Sequence, residues 1–162
     1  MYTITPMTRP LAQQISHWKY EGEYALYSFT PDEETMAELM DGSYFACQQN
    51  GALIGYFCFG ASARIPLQPH EATAYEPDLL DFGLGMDPAL CGQGRGSSFM
   101  QAGLAFAQEK FQTSNFRLAV AAFNQRAIHL YQKMGFVRRC QVHHRFSGQM
   151  FEIMTMQPKD AD

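Results

Sequence analysis

Apolar positions change period several times along the chain, and each change marks a predicted element. Met100, Leu104, Ala107 and Phe111 recur at i, i+4, i+7 and i+11, the stripe of a helix packed on one face. Leu11, Ile15 and Trp18 keep similar spacing and predict a helix over 11–18. Ala127, Leu130, Tyr131 and Met134 line a third helix over 125–134, which Asn124 can cap and Gly135 can end. Residues 44–49 and 52–59 flank Asn50-Gly51, the dipeptide best suited to a type I′ turn, and predict a β-hairpin. Thr30-Pro31-Asp32-Glu33 predicts a helix start, with Thr30 as cap, Pro31 first and Glu33 completing a capping box, running to Met40. Strands are expected over 2–6, 79–86, 116–123, 136–144 and 149–156, the last two joined near Ser147-Gly148. Residues 60–77, with Pro66, Pro69 and Pro77, read as a surface loop with weak internal structure.

The chain has 162 residues, 46% of them hydrophobic, enough for one sizeable core and little room for two. We therefore expect a single domain over 1–162. Its net charge of −4 argues against nucleic acid as a partner. No apolar run approaches the length of a membrane span and the polar first residues carry no secretory signal, so no membrane partner is expected and the cytoplasm is the default location. Cys47, Cys58, Cys91 and Cys140 are scattered without a Cys-x-x-Cys pair and are expected as thiols. His143 and His144, adjacent in a strand, point to opposite faces and have no third ligand spaced to help, so no metal site is expected.

The chemistry concentrates where the strand over 79–86 stops at Asp87-Pro88. There follows Cys91-Gly92-Gln93-Gly94-Arg95-Gly96-Ser97-Ser98, and then the Met100 helix. Lacking a Cβ, Gly92, Gly94 and Gly96 can adopt left-handed or crowded conformations that turn successive N–H groups into one concavity. Ser97 would open a helix whose unpaired amides and positive dipole end favour the same anion. This is where a backbone would cradle a diphosphate. A Walker A loop would need Gly-Lys-Ser/Thr, but Arg95 and Ser97 follow the last glycines. A dinucleotide fingerprint would need Gly-x-Gly-x-x-Gly and an acidic residue ending the next strand, where Asn124 stands instead. That disfavours a nicotinamide-dependent oxidoreductase.

The loop resembles the pyrophosphate loop of the GNAT superfamily of N-acetyltransferases, commonly Gln/Arg-x-x-Gly-x-Gly/Ala. Gly94 and Gly96 match its two small positions, while Cys91 stands where Gln or Arg is usual. The segment from Asn124 to Phe136 is similar to the family's Asn-x-x-Ala-x-x-x-Tyr-x-x-x-Gly-Phe, with Ala127, Tyr131, Gly135 and Phe136 in place. The resemblance covers nearly the whole chain and implies the family's α/β (α+β mixed) fold, a central, mostly antiparallel mixed sheet flanked by helices in the order β-α-α-β-β-β-α-β-α-β-β. It implies an acceptor-side half over about 1–78, an acetyl-CoA-binding core over about 79–136 and C-terminal strands over about 136–157.

What it implies for chemistry is acetyl transfer from acetyl-CoA, as co-substrate, to a primary amine of a small molecule, peptide or protein, by direct attack in a ternary complex. Leu84 and Met86 would offer main-chain contacts to pantetheine, and Gln93, Gly94, Arg95, Gly96 and Ser97 would hold the pyrophosphate. Arg95 is equally readable as a solvated side chain. Asn124 is open to two roles, a contact to pantetheine or a helix cap. Tyr131 is the expected general acid for the leaving thiolate, with packing of the helix as its other reading. Asp81, desolvated if its strand is central, is the expected base, set against a structural aspartate or relay through Glu21 or Glu23. In the family the acceptor lies beside the segment joining the first two helices, here 18–29, with Trp18, Tyr20, Tyr24, Tyr27 and Phe29. Such a wall could hold an apolar acceptor while a carboxylate draws its ammonium, or could simply pack on the core. A non-catalytic acyl-CoA-binding module is the competing class, and a homodimer is admitted as a further partnership.

Overall fold

The computed structural model describes residues 1–157. The chain forms two compact units, one of Met1–Cys58 with Leu84–Gly103, the other of Phe59–Gly83 with the described residues from Leu104 on.

The first unit opens with β1 (Tyr2–Pro6), α1 (Arg9–Ser16), a 3₁₀ turn over Gly22–Tyr27 and α2 (Glu33–Leu39), followed by β2 (Tyr44–Gln49) and β3 (Ala52–Phe59). Strand β2 pairs antiparallel with β1, Ile4 facing Cys47, and with β3 across the expected turn. Asn50 and Gly51 both have positive φ, 53° and 78°, as a type I′ turn requires. Helix α1 starts two residues before the apolar pattern because a proline, Pro10, is tolerated in its first turn, and Trp18 lies beyond its end. Helix α2 is capped by Asp32 rather than Thr30. Its Oδ1 accepts the Thr35 N–H at 2.8 Å, and aspartate is the stronger cap of the two. Ala12, Ile15, Leu39, Ala46, Ile54 and Phe57 build the interior. Phe57 stacks on Phe99 at 4.6 Å between ring centroids.

Strand β4 (Leu80–Met86) and helix α3 (Gly96–Phe111) supply residues to both units. The second unit adds β5 (Phe116–Ala121), α4 (Gln125–Met134), β6 (Val137–His143) and β7 (Met150–Met156). The strand order is β1-β2-β3-β4-β5-β7-β6, mostly antiparallel, with a parallel β4–β5 pair at Leu80↔Phe116 and Asp81↔Arg117. This is the expected mixed α/β architecture.

Residues 60–77 are more ordered than their prolines suggest. They hold 3₁₀ turns at Gly60–Ala63 and Pro69–Tyr75 and are tied to the β6–β7 hairpin. Leu67 bridges His144, the Arg145 N–H donates to Pro66 O at 2.8 Å, and Glu71 accepts from both the main chain and the ring of His143 at 3.0 Å. His144 Nδ1 receives the N–H groups of Phe146 and Ser147. Both histidines thus have structural partners.

Candidate active site

Strand β4 leaves the first unit's sheet at Asp87, whose N–H donates to Ile54 O at 2.9 Å and whose Oδ1 accepts the Ala89 N–H at 2.9 Å. Pro88 stops further pairing and starts a short 3₁₀ turn. Gly92 and Gly94 follow, both at φ 76°, a left-handed conformation that a side chain would strain. A Cβ on Gly94 would meet nothing within 4 Å, so the loop borders open space. Gly96 is not a loop residue as its pattern suggests. It is the first residue of α3, one position before Ser97, and the bond from Phe99 N–H to Arg95 O starts the helical ladder. The first-turn amides of any helix lack intrahelical acceptors, and here they follow directly on the two left-handed glycines. A diphosphate fits such a strip of donors. Gln93 turns its amide back to Ala89 O at 3.0 Å, while Arg95, Gly96 and Ser97 are half-buried.

Leu84 and Met86, also half-buried, belong to the same unit as this loop. The Met86 carbonyl accepts the Tyr20 hydroxyl and, at 3.8 Å, the Cys91 thiol. Burial first, and the neighbouring Cys91 and Asp87 next, push the Tyr20 phenol above its usual range, so it stays a donor. One residue earlier, Gly85 lies against Tyr56, and a Cβ there would stand 2.3 Å from the ring. Tyr56 in turn packs against Trp18, Phe29 and Tyr44 at 6.3, 5.8 and 5.7 Å. The aromatic residues expected to wall an acceptor therefore gather in the first unit, beside the end of β4.

Asp81, Asn124 and Tyr131 belong to the second unit. Asn124 caps α4, its Oδ1 accepting the Ala127 N–H at 3.2 Å, and Gly135 ends the helix in a left-handed conformation at φ 110°. Tyr131 is 9% exposed and its ring lies 6.3 Å from that of Phe136, whose N–H donates to Tyr131 O at 2.9 Å. Asp81 is buried, as expected of a central strand, and is enclosed by two guanidinium groups. Arg117 donates to it from Nε and Nη2 at 2.7 and 2.9 Å, and Arg64 from Nε at 2.6 Å.

Neither arginine stood out in the sequence. A signal was present, because Arg117 interrupts the apolar run of β5 just as Asp81 interrupts β4, and lone opposite charges in neighbouring buried strands are expected to meet. Tyr56 and Gly85 carried no such signal, since their contact is set by the pairing of distant strands.

A model of the acetyltransferase (GNAT) family matches residues 12–136. The chain belongs to the GNAT family. The GNAT fold is also that of its solved neighbours. A spermidine N-acetyltransferase chimera of Vibrio cholerae superposes with a TM-score of 0.71 at 19% identity, covering 96% of this chain and 94% of that one. A GNAT-family acetyltransferase from Bacillus anthracis gives 0.69 at 14% identity, over 96% and 93%. No curated protein matches the chain by sequence. GNAT enzymes use acetyl-CoA.

Proposed function

We propose that this GNAT protein transfers an acetyl group from acetyl-CoA to a primary amine by direct attack in a ternary complex. The observation that carries the reading is the loop from Gly92 to Gly96, where two left-handed glycines lead straight into the first amides of α3. Amides of 93–97 hold the pyrophosphate, with Arg95 adding charge, and the main chain of Leu84 meets pantetheine. The amine nitrogen attacks the thioester carbonyl carbon, a C–N bond forms and the C–S bond breaks. Tyr131 gives its hydroxyl proton to the departing thiolate. The amine's own proton leaves to water, and Asp81, held by Arg64 and Arg117, organises its strand without taking that proton. Asn124 serves by capping the helix that carries Tyr131.

The acceptor is a small or peptide amine, and two considerations favour a cation with an apolar body. Spermidine N-acetyltransferases are among the solved neighbours. The chain's net negative charge and the aromatic group around Tyr56 suit the same acceptor class.

Calorimetry with acetyl-CoA, followed by coenzyme A release against an amine panel that includes spermidine, tests the proposal. Tyr131→Phe is expected to lower kcat by roughly 10²–10⁴ while leaving acetyl-CoA affinity unchanged. Tight binding without turnover of any amine would instead favour a binding module.

A further inference from the structure

Residues 18–29 form a closed loop rather than a loose connection. The Tyr20 N–H donates to Ser28 Oγ at 2.9 Å, Lys19 Nζ donates to Phe29 O, and the Tyr20 ring meets Tyr27 edge-on at 6.5 Å. Between them the 3₁₀ turn Gly22–Tyr27 starts from a left-handed Gly22 at φ 59°. The two ends of the loop, Trp18 and Phe29, both rest on Tyr56, which lies over Gly85. Beside that contact the Tyr20 hydroxyl reaches the carbonyl of Met86, the next residue along β4. The loop is thus fixed to two consecutive residues of one strand, by packing at Gly85 and by a hydrogen bond at Met86.

We propose that Tyr20 is a positioning residue for the acceptor side, its hydroxyl holding the 18–29 loop on the Met86 carbonyl at the end of the cofactor strand. This inference rests on the acetyltransferase reading above. It also changes the division of labour along β4. The Met86 carbonyl is engaged by Tyr20, which leaves the Met86 N–H and the main chain of Leu84 for pantetheine. Gly85 is required to be glycine because Tyr56, the support of both loop ends, occupies the space a side chain would need.

Tyr20→Phe removes the hydroxyl and keeps the ring that packs on Tyr27, so the fold is expected to survive. Hydrogen exchange should then quicken about tenfold at the amides of 22–28, matching the loss of one hydrogen bond, with β2 and β3 unchanged. In steady-state assays the KM for the best amine should rise about tenfold, kcat should change less than about threefold, and acetyl-CoA affinity by calorimetry should hold within about twofold. Unchanged exchange over 22–28 would overturn the proposal. So would a loss of acetyl-CoA affinity with an unaltered amine KM, which would assign the hydroxyl to the carrier. A wild-type chain that binds no acetyl-CoA would sink the underlying reading instead, and the exchange measurement would still decide whether Tyr20 ties the loop.

Discussion

Asp81 is a single side chain that supports both a catalytic and a structural reading. Its carboxylate is 2% exposed and Arg117 is 1% exposed, so neither charge has bulk water to fall back on. Arg117 also donates from Nη1 to Pro77 O at 2.8 Å, and the guanidinium groups of Arg64 and Arg117 each stand 4.9 Å from the centre of the Tyr75 ring. Removing one partner of such a pair strands the other. Arg117→Met is therefore expected to lower unfolding stability by about 3–5 kcal/mol, measured by urea denaturation. Arg64→Met should cost much less, because that side chain is 39% exposed and water can replace it. Asp81→Asn supplies the functional contrast. If the carboxylate is not the base, the variant loses stability while the pH dependence of kcat/KM keeps its shape; loss of the acidic limb, where activity falls as the base takes up a proton, would restore Asp81 as proton acceptor.

Among the helices and strands, glycines decide how closely neighbours approach. A Gly→Ala change inside an exposed helix ordinarily stabilises it by about 1 kcal/mol. At Gly103 of α3 the sign should reverse. An added Cβ would stand 2.3 Å from the Phe57 ring, which is fully buried and cannot swing away because it stacks on Phe99. Gly103→Ala is expected to destabilise by about 1–3 kcal/mol in thermal unfolding, with the overpacking cost exceeding the propensity gain.

The same contrast explains what was legible in the sequence. Local signals worked where local physics decides: the Asn50-Gly51 turn, the Asn124 cap, the stop at Gly135, and the left-handed Gly92 and Gly94. They misplaced the start of α2, where two good caps lie two residues apart, and they missed the order of 60–77, whose hydrogen bonds come from a hairpin some 70 residues further on. The site divided along the same line. Loop and helix were readable in one stretch each, whereas Tyr20 on Met86, Tyr56 on Gly85 and the arginines on Asp81 are long-range pairings that no periodicity encodes.

Across the molecule, 16 acidic and 12 basic side chains leave a net charge of −4, so acid changes the balance of the whole chain as well as single contacts. One carboxylate can be singled out because its partner and direction are known. The hydrogen bond from the His143 ring holds the Glu71 carboxyl below its usual 4.5, and His70 lies near enough to lower it further. A carboxylate whose folded-state pKa is depressed adds stability above its unfolded value, and that stability fades as pH falls through the folded one. The Glu71 contribution is thus complete near neutrality and fades as pH falls below the usual carboxylate range, along with the tie between the Pro69–Tyr75 turn and β6. Glu71→Gln cannot ionise. Thermal unfolding followed from about pH 6 to about pH 3 should therefore show the wild type losing more stability than the variant, the two curves converging at the acid end. Curves that stay parallel over that range would mean that the Glu71–His143 contact adds nothing to acid sensitivity, and the decline would then belong to the remaining carboxylates collectively.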